Sequence, residues 1–214
     1  ELLLFAGVFF LVGAIDELGV DLAWLWLRST GRGRTLAIAP DADGSEFTGI
    51  AAVFIPAWQE AAVIGATISH AIAVWPQADL RIYAGCYRND PATMNAIMIA
   101  ASGDSRVRLI VHDRDGPTTK ADCLNCLYRA LELDEARTGR RAHMVVLHDA
   151  EDMVDPAAIV LLDRAIRVAD LAQIPVLPVP QLNSPWIAGH YCEEFAESHG
   201  KAMVVRDALG AGMP

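Results

Sequence analysis

Residues 50–86 read IAAVFIPAWQEAAVIGATISHAIAVWPQADLRIYAGC, and this stretch decides the fold class. Apolar, strand-like segments at 50–55 and 81–86 enclose a helical stretch at 59–74. A strand–helix–strand unit of this length is typical of two parallel strands joined by a crossover helix. The sequence therefore predicts an α/β domain with a mostly parallel sheet flanked by helices.

The same alternation continues to residue 177. The sequence predicts further strands at 107–111, 144–147 and 172–177, and helices at 91–101, 120–135 and 156–168. Parallel sheets bind ligands at the carboxyl ends of their strands, so the residues that follow each strand are the functional candidates. No GxGxxG, GxxxxGK(S/T) or GxSxG pattern occurs, which argues against a dinucleotide fingerprint, a P-loop and a serine-hydrolase elbow.

The composition restricts the class of protein. The 214 residues are enough for one substantial domain with a sizeable core. A formal net charge of −10 argues against a nucleic-acid partner, which usually meets a basic surface. Cys123 and Cys126 form a CxxC, but no second Cys pair or nearby His completes a zinc site. We therefore expect reduced thiols in a cytosolic environment.

The first 27 residues are strongly apolar. Residues 2–15 form an apolar run, three acidic residues follow within 16–21, and the chain is apolar again up to residue 27. Taken as one helix, residues 2–27 can cross a bilayer, although carboxylates inside a membrane are costly and usually have partners. Three arginines within 28–34 place the rest of the chain on the cytoplasmic side. The alternative is a buried or interfacial helix.

Residues 28–48 are rich in Arg, Gly, Asp and Ser and are interpreted as a linker. Within it, the sequence Asp-Ala-Asp-Gly at 41–44 follows no strand, so we expect a solvated turn there and not a metal site. The linker leaves residues 49–214 for the α/β domain. The first residue, Glu1, is not an initiator Met and the chain stops abruptly, so we expect a fragment truncated at its C-terminus.

The strongest candidate site follows the strand predicted at 144–147. Residues 148–152 read His-Asp-Ala-Glu-Asp, which places three carboxylates within four residues. Mg²⁺ commonly binds one or two carboxylates together with substrate phosphates. Carboxylates two positions apart, such as Asp149 and Glu151, can flank one ion that neutralises a leaving diphosphate. The alternative is an acidic N-terminus for the helix predicted at 156–168.

Two other loops at strand ends hold weaker candidates. Pro56 ends the first strand and Glu60 opens the next helix, so a rigid backbone edge there could face a flat base. The same loop is also explained as a plain connection in which Trp58 packs. Asp90, after the second strand, either contacts a ribose or base or simply begins the helix at Pro91.

Two helices contribute further candidates. Lys120 starts a helix that a threonine at 118 or 119 can cap, which favours a diphosphate clamp or else a solvated lysine. Near the C-terminus a polar and aromatic helix suits sugar rings on the acceptor side, or else forms a core stripe. Its candidate residues are Trp186, His190, Tyr191 and Glu194.

At these residues the chain resembles glycosyltransferase family 2, a large group with the GT-A fold, and within it an inner-membrane branch. The likeness covers nearly the whole length and rests on residues 1–5, 89–93, 116–125, 148–152 and 189–197 taken together. The resemblance implies a Rossmann-like GT-A sheet and a bacterial inner-membrane protein whose GT-A domain lies on the cytoplasmic side.

Several residues match motifs of that family. Pro56 and Glu60 match its P-x-x-x-E, where the nucleotide base packs, and Lys120 and Asn125 match its K-x-x-x-L-N segment beside the nucleotide. Residues 149–151 match its metal-binding D-x-D, with Glu in the second acidic place. The resemblance implies a nucleotide-diphosphate sugar donor (a UDP-sugar first), Mg²⁺ or Mn²⁺, and a glycan or lipid-linked acceptor.

The chain departs from the family pattern in two places. Residues 87–90 read Tyr-Arg-Asn-Asp where most relatives have Asp-Asp-Gly-Ser, so Asp90 is a displaced substitute for the base-contacting Asp. The later acidic motif that supplies the general base and the Q-x-x-R-W motif do not occur before residue 214. No catalytic base is therefore assigned within this chain.

The leading hypothesis is an inverting glycosyl transfer. A metal at Asp149 and Glu151 would stabilise the departing diphosphate, and a carboxylate outside this chain would deprotonate the acceptor hydroxyl. The competing hypothesis is an inactive glycosyltransferase-like module that binds a ligand or assembles a surface-polysaccharide or phage-receptor system; the departure at 87–90 favours it. A nucleotidyltransferase is a third hypothesis, disfavoured because no Gly-rich phosphate loop lies near the first strand.

Overall fold

A computed structural model describes residues 1–32, 47–180 and 184–211. It divides into two compact units, one within Glu1–Ala37 and Ile174–Pro214, the other within Ile38–Gln173. Most of the expected linker, including the turn expected at 41–44, lies outside the described residues. The expected boundary between linker and α/β domain stays a prediction.

The unit within Ile38–Gln173 is built on four parallel strands. In chain order they are β1 (Ile50–Pro56), β2 (Leu80–Tyr87), β3 (Val107–His112) and β4 (Ala142–Leu147). Their order across the sheet is β3-β2-β1-β4, and every pairing is parallel. The mostly parallel sheet predicted from the sequence is confirmed.

Helices alternate with these strands and also form the other unit. In chain order they are α1 (Leu2–Ser29), α2 (Ile64–Val74), α3 (Pro91–Ala101), α4 (Lys120–Thr138), α5 (Ala158–Ala165), α6 (Pro185–Glu197), a π-helical segment (Ser198–Ala202) and α7 (Met203–Ala208). Local chemistry sets the bounds of α4. The Thr119 hydroxyl accepts the Asp122 N–H at 3.1 Å at its start, and Gly139 ends it with a φ of 69°, a conformation that suits glycine.

The central strands β1 and β2 are buried along almost their whole length, as is typical of strands covered on both faces. On one face Ala52, Phe54 and Tyr83 pack with Leu127 and Leu131 of α4. The rings of Phe54 and Tyr83 meet edge to face at 5.6 Å between centroids. The apolar run that decides the fold class is therefore also the centre of the core.

Helix α1 belongs to the other unit and has 28 residues, about 42 Å at the usual rise. Within the part of the chain that the structure describes, α1 is the one helix long and apolar enough to cross a membrane. Its large apolar side chains are exposed almost to its end, where Leu27 is buried. Lys201 contacts Asp21 at 2.5 Å and also contacts Glu197, so one of the three α1 carboxylates has a cationic partner.

Three sequence predictions need correction. The helix predicted from residue 59 begins at Ile64, because Gln59 adopts a left-handed conformation (φ 60°) and its N–H is donated to the Asp90 carboxylate at 2.6 Å. The helix predicted at 156–168 is limited to α5. The strand predicted at 172–177 is wrong, since that stretch forms no regular secondary structure. Pro175 has no N–H for a ladder, and the Val176 N–H is donated to His199 Nδ1 at 2.9 Å.

Asp163 of α5 is buried and contacts residues near the start of β1 and β4. Its carboxylate accepts the N–H and hydroxyl of Thr48, both at 3.1 Å, and contacts His143 Nε2 at 2.6 Å and an Arg167 nitrogen at 2.5 Å. Burial alone would raise the pKa of Asp163, but the hydrogen bonds from Arg167, Thr48 and His143 outweigh it and hold that pKa below its usual value.

We expect Asp163→Asn to lower the free energy of unfolding at pH 7 by about 1–3 kcal/mol, because it leaves the Arg167 guanidinium without its anionic partner. A carboxyl with a depressed folded pKa stabilises the fold above its unfolded pKa of about 3.9, and this stabilisation is lost as the pH falls through the folded pKa. Urea unfolding at pH 7 and pH 3 measures how much the free energy of unfolding falls in acid. This fall should be smaller in the variant than in the wild type. Equal losses would contradict this role, and exposed Asp170→Asn is the control.

Candidate functional site

The sheet changes its direction of growth at β1. The chain first places β2 and β3 on one side of β1 and then returns to place β4 on the other side. Sheets of this kind bind ligands beyond the carboxyl ends of the strands, at the point where the strand order reverses. The predicted candidates at 56–60 and 148–152 follow β1 and β4 at this edge of the sheet.

Asp149 and Lys120 meet at this edge of the sheet. The N–H of His148 is donated to the carbonyl of Phe54 at 2.9 Å, which extends the β1–β4 ladder up to the acidic loop. The next carboxylate, Asp149, accepts a hydrogen bond from the ammonium of Lys120, the first residue of α4. Both side chains are more than half exposed, so this ion pair is open to ligands.

The residue between the two candidate metal ligands is anchored. Ala150 is buried, and its carbonyl accepts the Thr67 hydroxyl at 2.7 Å, whereas Glu151 is exposed. Two exposed carboxylates therefore lie on either side of a fixed residue. Within the described ranges no group of three or more His, Cys, Asp or Glu side chains could hold a metal ion. Further ligands would have to come from a bound phosphate or from water.

Pro56 and Glu60 lie in the loop after β1, and Asp90 and Thr93 hold that loop in place. Pro56 ends β1 opposite Gly85 and is partly exposed. Beyond it, the Asp90 carboxylate accepts the Gln59 N–H, and the Thr93 hydroxyl accepts the Glu60 N–H at 3.0 Å. The loop that carries Glu60 is thus attached through its main chain to the start of α3.

Asp90 is a buried cap residue in this structure. One carboxylate oxygen accepts the Thr93 N–H at 3.2 Å at the start of α3, and the other accepts the Gln59 N–H. Burial alone would raise the pKa of Asp90, but the hydrogen bonds from Thr93 and Gln59 hold it below its usual value. Of the two roles that the sequence left open, the structure shows the one at the helix start.

Three rings that the sequence analysis did not assign to the site form an aromatic cluster at the ends of β1, β2 and β3. Tyr87 stacks on His112, with ring centroids 5.2 Å apart, and meets Trp58 edge to face, also at 5.2 Å. A Cβ at Gly116 would lie 2.5 Å from the Trp58 ring, so the cluster needs a glycine there. The cluster thus defines where the loop before α4 can run.

Residues 87–89 hold that loop by polar contacts. The Tyr87 hydroxyl is 2.8 Å from the Thr118 hydroxyl, and Arg88 pairs with Asp115 at 2.6 Å. Asn89 exchanges two hydrogen bonds of 2.8 Å with the main chain of Gly116. Residues 87–89 therefore fix the loop that leads to Lys120.

The remaining candidates lie on helices α4 and α6. Asn125 is exposed and lies five positions after Lys120, which is about 140° around the helix. Trp186, His190, Tyr191 and Glu194 are exposed residues of α6, which belongs to the other unit. Their roles beside a nucleotide or an acceptor stay predictions.

Residues 49–214 match the family described as "Glycosyltransferase like family 2". The chain belongs to glycosyltransferase family 2. The expected family, its GT-A fold and the enzyme class, a glycosyltransferase, are confirmed by this match together with the parallel sheet.

Two curated relatives in this family are similar to the chain. They are "Bacteriophage adsorption protein B" of Escherichia coli K12 and "Bacteriophage N4 adsorption protein B" of Escherichia coli O157:H7, each 35% identical over 163 residues, or 76% of this chain. Within family 2, the chain is therefore similar to these adsorption protein B relatives. The chain spans 22% of the length of these relatives.

A solved structure is also similar to the chain, a mannosyltransferase, PcManGT, from Pyrobaculum calidifontis in complex with GDP-Man and Mn²⁺. The TM-score is 0.49 at 20% sequence identity, and the match covers 82% of this chain and 47% of that one.

We expect Gly116→Ala to destabilise the family 2 domain by about 1–3 kcal/mol, because the new methyl group would overlap the Trp58 ring in a packed cluster. Thermal unfolding followed by tryptophan fluorescence would measure this loss. Gly65→Ala in α2 is the matched control, since its Cβ would meet only Ala96 O at an ordinary 3.7 Å and alanine favours a helix. A Gly116 variant as stable as the control would contradict the packing described.

Proposed function

We propose that this chain is the donor-binding half of a membrane-attached glycosyltransferase that uses a nucleotide-diphosphate sugar and Mg²⁺ or Mn²⁺. The pair formed by Lys120 and Asp149 supports the proposal most directly. It brings a cation and a carboxylate together at the switch point of a parallel sheet, where a charged ligand of such a fold is expected to bind. Family membership supplies the reaction class.

The side chains present fit a divalent ion. Asp149 already holds a cation, the ammonium of Lys120, and the exposed carboxylate of Glu151 lies two residues away. Two carboxylates with phosphate oxygens form an oxygen-rich ligand set of the kind that Mg²⁺ and Mn²⁺ use. When bound there, the ion would neutralise the charge that develops on the leaving nucleoside diphosphate.

The protein's own groups would orient the donor. The ammonium of Lys120 and the N–H groups at the start of α4 would attract a diphosphate, and the Thr119 cap and the loop held by residues 87–89 fix their position. Pro56 and Glu60, at the end of β1 and in the loop after it, would also face the nucleotide. A UDP-sugar is the leading candidate for the donor. Asn125 and Asp90 remain proposed donor contacts.

The transfer is proposed to invert the anomeric centre. A carboxylate other than Asp149 and Glu151 would accept the proton of the acceptor hydroxyl as the hydroxyl attacks the sugar and the nucleoside diphosphate leaves. The acceptor is proposed to be a cell-surface glycan or a lipid-linked sugar. The exposed α6 side chains Trp186, His190, Tyr191 and Glu194 are candidates for its binding.

Membrane attachment is proposed through α1, in a bacterial inner membrane with the GT-A domain on the cytoplasmic side. The length of α1 and its exposed apolar surface support this. Arg28 and Arg32 lie over the rings of Trp24 and Trp26 at 5.5 and 5.1 Å, an arrangement suited to a membrane–water interface. The contact between Lys201 and Asp21 offsets the charge of the α1 carboxylate closest to that end.

A second candidate is an inactive glycosyltransferase-like module that binds a ligand or serves in assembly. The observation that favours it is the use of residues 87–90 to fix loops and cap α3, a set of contacts that serves structure without a substrate. The two candidates differ in whether the chain binds a nucleotide with a divalent metal.

We expect Asp149→Asn to weaken Mn²⁺-dependent binding of UDP or GDP to residues 1–214 at least tenfold, because it removes the carboxylate that faces the cation. Calorimetric titrations with Mn²⁺ and with EDTA measure this effect. Asp152→Asn, the same change three residues later, is the matched control. Full affinity in the Asp149 variant would overturn the metal assignment, and a folded wild-type chain that binds neither nucleotide would support the inactive module.

A further inference from the structure

Lys120 lies where a lysine is locally unfavourable. The first turn of a helix presents partial positive charge, and acidic residues are preferred there. In α4 the Thr119 hydroxyl and Asp122 already meet these local needs. A residue that opposes the preference for acidic side chains in a first helical turn, and does not stabilise the helix, is expected at a functional site.

The neighbouring charges leave Lys120 with Asp149. Asp122 is paired with Arg114 at 3.0 Å, and Asp115 is paired with Arg88 at 2.6 Å. The ammonium of Lys120 therefore occupies the place of a cation bound to Asp149. Conversely, the Asp149 carboxylate occupies the place of an anion bound to Lys120 and the start of α4. The proposed metal ligand, Asp149, and the proposed diphosphate ligand, Lys120, therefore neutralise each other's charge.

We propose that Lys120 exchanges partners on donor binding. Its ammonium leaves Asp149 for the diphosphate of the donor, and the carboxylate of Asp149 becomes free for the metal at the same time. The inference rests on the proposed function and adds to it that the metal and the nucleoside diphosphate bind as one unit. Metal alone binds weakly, because Lys120 competes with it for the carboxylate.

The solvent exposure of Lys120 and Asp149 determines how strongly the ammonium competes with a metal for the carboxylate. The side chains of Lys120 and Asp149 are 59% and 52% exposed, and pairs of this kind change an equilibrium constant by up to about fivefold. Repulsion between the ammonium and a divalent ion at the same carboxylate acts in the same direction. The contact is thus weak enough to be exchanged and strong enough to be measured.

The test compares Mn²⁺ binding to the wild type and to Lys120→Met, with residues 1–214 and electron paramagnetic resonance of free Mn²⁺. Without nucleotide, Lys120→Met should bind Mn²⁺ about two- to fivefold more tightly than the wild type. With saturating Mn²⁺, the same variant should bind UDP or GDP at least tenfold more weakly. Lys120→Arg keeps the charge and should resemble the wild type in Mn²⁺ binding without nucleotide.

Tighter Mn²⁺ binding together with weaker nucleotide binding in Lys120→Met identifies the exchange. If Lys120 were merely structural, its loss would weaken both affinities. If Lys120→Met binds Mn²⁺ alone no more tightly than the wild type, while the wild type binds Mn²⁺ with nucleotide, the exchange is overturned and the proposed function stands. If the folded wild type binds neither Mn²⁺ nor nucleotide, both are overturned.

A reciprocal test needs no metal. In EDTA, Asp149→Asn frees Lys120 and should bind inorganic pyrophosphate about two- to fivefold more tightly than the wild type. The double variant Lys120→Met with Asp149→Asn should lose this gain. Unchanged pyrophosphate affinity in Asp149→Asn, in a wild type that binds pyrophosphate, would contradict the exchange from the anion side.

Discussion

The parallel pairing of β1 with β2 on one side and with β4 on the other is the constraint on which the rest of the structure depends. It aligns Pro56 with Gly85 and Phe54 with Leu147, so the three strands end at the same edge. Growth of the sheet reverses at β1, so the loops after β1 and β4 leave the same edge of the sheet, where α4 begins with Lys120. A carboxylate and an ammonium that are 29 positions apart in the chain meet there as a result.

The contacts of residues 87–90 show how a family 2 chain without the usual Asp-Asp-Gly-Ser keeps the site in order. Tyr87 joins the aromatic cluster, Asn89 holds Gly116, and Asp90 caps α3 while it fixes Gln59. For Asp90 to contact a nucleotide base, its carboxylate would have to give up a main-chain hydrogen bond from a buried position.

The sequence predicted the parts of the structure that follow from local periodicity. Four strands, the start of α4 at Lys120 and the acidic turn after β4 are all visible as short-range patterns. The aromatic cluster could not be predicted, because Trp58, Tyr87 and His112 meet only through strand order. The late start of α2 depends in the same way on a contact between Gln59 and Asp90, and an apolar stretch at 172–177 looked strand-like although its proline interrupts a ladder.

Asp149, Glu151 and Lys120 are proposed to form one donor-binding site. The most direct measurement is a crystal structure of the chain with UDP or GDP and Mn²⁺, with anomalous scattering to locate the metal. We expect a manganese peak between the carboxylates of Asp149 and Glu151, and a diphosphate within hydrogen-bond distance of the Lys120 ammonium. A nucleotide bound elsewhere, or manganese away from Asp149 while Lys120 still contacts that carboxylate, would contradict it.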